Sequence, residues 1–85
     1  MTKAYELAQT VTDKYCEKLI NTLRRMHREG CQWMNAQEIT EATGTQSNTH
    51  VEAGMYKLAA MGFLNMRDGD GKAKFEYQLR PEYRK

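Results

Sequence analysis

Over the first third of the chain apolar residues recur at every fourth position: Leu7, Val11, Tyr15, Leu19 and Leu23. Met26 completes the stripe, and Ala8, Cys16 and Ile20 widen it. No Gly or Pro interrupts the run before Gly30, so the period predicts one amphipathic helix over residues 4–29. Thr10, Val11 and Thr12 lower local helix propensity and mark its weakest point. Arg24, Arg25 and Arg28 suit the C-terminal end of the helix dipole, and Gly30 suits a left-handed cap. Such a helix would span about 39 Å, more than a domain of this size needs to close its core. The excess, residues 4–14, is expected to fray, to fold back, or to pack against the same segment of a second subunit as a homodimer.

The period then shortens. Residues 31–34 lose helical character and read as a short strand at the edge of a later sheet. Asn35, with Glu38 three residues on, forms a capping-box signature ahead of Ile39 and Ala42, and Gly44 permits a sharp turn. Ser47 is the preferred cap of the next helix, with Thr45 as the alternative. Its inward face is read as Val51, Gly54 or Met55, Leu58 and Met61, leaving Asn48, Thr49, Glu52, Ala53, Tyr56 and Lys57 outside. Gly54 costs about 1 kcal/mol against Ala inside a helix, which close approach to the preceding helix would explain. Beyond Gly62, Leu64 and Met66 alternate with Asn65 and Arg67, while Ala73, Phe75, Tyr77 and Leu79 alternate with Lys74, Glu76 and Gln78. Period-two patterning on both sides of Asp68-Gly69-Asp70-Gly71 predicts a hairpin whose apolar face covers the helices. Residues 80–85 read as a loose tail.

The fold class expected is therefore α+β: three helices, a C-terminal two-stranded hairpin and a short extra strand, in one domain over residues 1–85. Helix, turn, helix and ribbon in that order resemble the winged helix-turn-helix superfamily. Residues 35–62 would supply the helix-turn-helix and residues 63–79 the wing. The resemblance runs from about Trp33 to Leu79, over half the chain, and is best at Ser47-Asn48-Thr49-His50-Val51 and Leu58-Ala59-Ala60-Met61-Gly62-Phe63-Leu64. It implies double-stranded DNA as partner, with the second helix of the pair in the major groove. Asn48 and Thr49 would then meet base edges, since Asn suits adenine and Thr also suits a thymine methyl. Gln46 and His50 would lie near the backbone, and Lys57, Arg67, Lys72 and Lys74 would position the duplex. Tyr56 should point outward, toward phosphate, toward a protein, or simply into solvent.

Charge gives DNA less support. The net charge is +2, and residues 36–61 carry only Lys57 against Glu38, Glu41 and Glu52. Positive potential must come from the flanking segments. A protein-binding role on the same scaffold, as accessory subunit or small inhibitor, is the alternative.

Catalytic and metal chemistry find little footing. Cys16, His27, Cys31 and His50 do not form paired zinc knuckles, and Asp68 and Asp70 lack the further ligands of a calcium loop. Two cysteines suggest no disulfide framework, and no phosphate-binding Gly-Lys-Ser/Thr loop is present. Neither enzyme activity nor a cofactor or metal is expected. No apolar run approaches membrane-spanning length and no apolar secretory segment opens the chain, so a cytoplasmic protein without a membrane partner is expected. Met26, Met34, Met55, Met61 and Met66 are candidate core fillers, and Trp33 is expected to bury beside Cys31 and Phe63.

Overall fold

A computed structural model describes residues 10–44, 47–69, 71 and 74–84. The first helix, α1, covers Asp13–Arg28, not residues 4–29. Thr12 is extended, with φ −81° and ψ 157°, and its hydroxyl accepts from Tyr15 N at 3.1 Å. The apolar stripe continues through Val11, but a capping hydroxyl and an acid at Asp13 stop the helix there. Of residues 4–14, where the dimer contact was expected, residues 4–9 lie outside the described residues.

A two-residue strand, β1 (Met34–Asn35), leads into α2 (Ala36–Thr43). Its capping box is complete: Glu38 N donates to Asn35 Oδ1 at 2.8 Å and Asn35 N to Glu38 Oε1 at 2.9 Å. The third helix, α3 (Asn48–Ala60), starts at Ser47, whose hydroxyl accepts from His50 N at 3.2 Å. It ends in a Schellman turn. Gly62 adopts φ +87°, and Phe63 N reaches back to Leu58 O at 3.0 Å. That turn carries Met61 away from the core, so Met61 is exposed where the helical period placed it inside.

Strands β2 (Leu64–Asp68) and β3 (Phe75–Leu79) pair antiparallel from Leu64↔Leu79 to Asp68↔Phe75. With β1 they form a sheet of order β1-β3-β2. Three helices and this sheet make the winged helix-turn-helix topology. Leu19, Leu23, Ile39, Val51, Met55, Leu58 and Leu79 are fully enclosed between the helices and the root of the hairpin. Tyr77, flanked by Met34 and Met66, is buried on the central strand. Met66 on the edge strand and Phe75 at the far end of the ladder lie beyond the helices and stay exposed, so the apolar face covers them only at its root.

Gly54 fits against α1 rather than against the preceding helix. A Cβ there would collide with Leu19 Cδ1 and meet the Tyr15 ring at 3.5 Å. Ala53, read as surface, is buried. The chain ahead of α1 crosses that side of α3, where the Val11 carbonyl accepts from Lys57 Nζ at 2.7 Å.

The tail is not loose. Pro81–Tyr83 forms a 3-10 turn, and the Tyr83 ring packs on Phe63 with centroids 4.7 Å apart. Arg24 Nε donates to Tyr83 O at 2.8 Å, and Arg84 Nε to Leu79 O at 2.7 Å. The Leu79 carbonyl lies past the two residues that β1 pairs, whereas the Tyr83 carbonyl belongs to the turn itself.

His27 fills a similar gap. Its Nε2 accepts from Leu79 N at 3.0 Å, while Nδ1 lies 2.9 Å from Cys31 O. Only a neutral imidazole protonated on Nδ1 satisfies both partners. Cys16 is buried and Cys31 half-buried, both as free thiols, and burial pushes the Cys16 thiol up.

Two outcomes follow from this packing. Gly54→Ala should lower stability by about 1–3 kcal/mol through overpacking, although it removes a helix-interior glycine. On a Leu19→Ala background the same change should become neutral or stabilising. Urea unfolding of the four proteins checks both. For His27, burial and then Arg84 lower the pKa from 6.5, against the opposing pull of the Cys31 carbonyl. The unfolded chain therefore binds a proton that the native state resists. Stability should be complete above pH 6.5 and fall as pH drops below it, and His27→Gln should flatten that dependence in urea midpoints.

Candidate nucleic-acid interface

The surface that a winged helix offers to a duplex is the outer side of its second helix-turn-helix helix, here α3. Asn48, Glu52 and Tyr56 are spaced four apart and form one stripe along it, with Thr49 beside them. Asn48 and Tyr56 are exposed; Thr49 and Glu52 are half-buried. The stripe forms one wall of a groove whose other wall is the hairpin, through Lys74, Phe75 and Met66. Tyr77 closes the floor, its phenol pushed up to about 12 by burial and secondarily by Glu52.

Asn48, Tyr56 and Lys74 are thus brought together around the groove, and Thr49 lies next to Asn48 on the helix without lining it. The other sequence-predicted contacts are not. His50 is exposed on the α1 side of α3, where its ring meets Tyr15 edge-on at 6.5 Å. Lys57 turns toward α1 and, besides the Val11 carbonyl, approaches Asp13 at 3.9 Å. Arg67 donates to Glu76 Oε1 at 2.8 Å and lies over the Trp33 ring, 4.2 Å from its centroid. Trp33 accordingly packs on the sheet beneath Arg67, while Phe63 is taken up by Tyr83. Gln46 and Lys72 fall outside the described residues.

Several groove residues were not assigned as contacts from the sequence, Glu52, Met66 and Phe75 among them. Glu52 was legible in the four-residue spacing from Asn48 to Tyr56, because i and i+4 share a helix face. Met66 and Phe75 were assigned to the apolar face of the hairpin, and nothing in their alternation says where the helices beneath it end. Three of the four large exposed apolar side chains among the described residues gather here: Tyr56 at 45%, Met66 at 47% and Phe75 at 38% exposure. The stripe itself carries the negative charge of Glu52 and no base, with Lys74 facing it from the hairpin.

The groove can accept a partner that offers polar edges at the Asn48 end and apolar surface at the Tyr56 end. Among the described residues no helix is long and apolar enough to cross a membrane, and no three His, Cys, Asp or Glu side chains converge on a possible metal position. Comparisons with protein-family models, with curated proteins and with solved structures give no match for this chain.

The Arg67 contact has a direct readout, because Trp33 is the single tryptophan of the chain. Arg67→Ala should shift its emission to the red as the ring becomes wetter. The stability cost should stay within about 1 kcal/mol, since both the cation-π contact and the ion pair are partly solvated.

Proposed function

We propose that this domain is a small, non-enzymatic cytoplasmic transcriptional regulator that binds double-stranded DNA with sequence preference. The observation that carries the reading is the placement of Asn48 and Thr49. They stand at the accessible start of α3, directly after a capped turn, with Lys74 across the groove. Asn48 can bond an adenine edge bidentately, and Thr49 can meet a thymine methyl or a phosphate. Backbone N–H groups of the first turn of α3 add an anion site, and Tyr56 and Lys74 reach toward phosphates on either side. A homodimer joined through its N-terminal segment would set two α3 helices on half-sites about 34–36 Å apart.

A second reading, recognition of a protein partner, is favoured by the apolar groove formed by Tyr56, Met66 and Phe75. The engagement of Lys57 and Arg67 within the fold points the same way. Salt dependence separates the two. Duplex binding should weaken linearly in logarithmic plots of affinity against salt. No binding to random-sequence pools at low salt would leave the protein reading.

Two substitutions test the assignment within the DNA reading. Asn48→Ala should remove about 1–3 kcal/mol of discrimination at one base pair. Lys74→Ala should weaken all sequences alike and lower the salt slope by about one unit. Both proteins should keep the parental urea midpoint, because both side chains are exposed. Uniform loss from Asn48→Ala, without a change of preference, would remove it from base reading.

A further inference from the structure

We infer that the cleft between α1 and the C-terminal end of α2 binds a phosphate-class anion. The cleft is open to solvent, with a volume of about 680 Å³, and Lys14, Lys18 and Arg25 line it from one face of α1. Glu17 is the one carboxylate in that lining. Among the described residues the ammonium groups of Lys14 and Lys18 have no hydrogen-bond or ion-pair partner. Arg25 spends one Nη on the Ala42 carbonyl at 2.6 Å, which neutralises the negative end of α2 and leaves its remaining N–H groups for a ligand.

A second observation points to the same place. Tyr15 also lines the cleft, and its hydroxyl is the one buried side-chain polar atom among the described residues without a hydrogen-bond partner. Buried polar groups are nearly always satisfied, and an anion seated in the cleft supplies the missing acceptor when the ring swings toward it. The neighbouring hydroxyls are already committed: Thr22 donates to Lys18 O, Thr43 to Ile39 O, and Thr12 accepts from Tyr15 N. What remains is a set of cationic donors with one phenol, and Glu17 is the only charged acceptor among the lining side chains. Several oxygens on one tetrahedral centre suit several donors at once, whereas a carboxylate offers two.

Free phosphorylated solutes and the backbone phosphates of a duplex offer the same chemistry. Titration of the ¹⁵N-labelled protein with sodium phosphate, at ionic strength held constant with sodium chloride, tests the site without invoking α3. A domain that ignores DNA can still meet this test. The expected result is saturable shifts of the Lys14, Tyr15, Lys18, Arg25 and Thr43 amides. A Lys14→Gln/Lys18→Gln variant should bind phosphate at least about tenfold more weakly, since two charge-assisted contacts are gone. Its urea midpoint should be unchanged, as neither lysine holds the fold.

A duplex titration then assigns the source. If the duplex moves the same amides and its salt slope falls by about two units in the double variant, the phosphates are those of DNA. If it leaves them unmoved while phosphate binds, the ligand is a free phosphorylated solute. Shifts that do not saturate, that chloride reproduces, or that persist unchanged in the double variant would overturn the proposal.

Discussion

The close approach of α3 to α1 at Gly54 governs the geometry of the domain. Leu19 occupies the volume that a side chain at residue 54 would need, so the two helices meet backbone to side chain. This contact fixes the rotation of α3 about its own axis. Val51, Met55 and Leu58 are thereby turned into the core, and the opposite stripe of Asn48, Glu52 and Tyr56 is turned toward the hairpin. Lys57 secures the same arrangement from the flank by reaching the Val11 carbonyl just ahead of α1. A glycine with no chemistry of its own thus decides which residues the domain shows to a partner.

Local signals were read well from the sequence. The capping box at Asn35, the cap at Ser47, the stop at Gly62 and the alternation of the hairpin all depend on neighbours within a few residues. Features that depend on distant chain were not legible. The start of α1 is an intermediate case: Thr10, Val11 and Thr12 mark where a break can fall, but the apolar stripe runs past them and does not say that the Thr12 hydroxyl takes up a helix N–H. Lys57 and Arg67 looked like free surface cations, because their acceptors at Val11 and Glu76 are 46 and 9 residues away. Arg24 and Arg84 bind the C-terminal turn through carbonyls, and a pattern of side chains carries no information about carbonyls.

The same distinction runs through the candidate site. Asn48, Thr49 and Tyr56 were placed on the outer face by helical spacing alone, and they are there. The cationic contribution was distributed differently from the expectation. Two of the lysines and arginines assigned to the duplex serve the fold, while unpartnered cations of the described chain accumulate on α1. The winged helix scaffold therefore separates a polar and apolar reading groove from a positively charged cleft, with the body of α3 and its contact to Tyr15 between them.

The way the sheet ends on its two sides also sets how the molecule can associate. Beyond the two residues of β1, the Leu79 backbone on the outer side of β3 is taken up by side chains: its N–H donates to His27 Nε2 at 3.0 Å and its carbonyl accepts from Arg84 Nε at 2.7 Å. An incoming strand finds no vacant ladder there. On the other side β2 ends the sheet with Arg67 and Asp68 on its final turn of pleat, charged residues of the kind that discourage strand addition. The domain is guarded by substitution on one margin and by charge on the other. Polymerisation through its sheet is disfavoured even though the hairpin projects beyond the core.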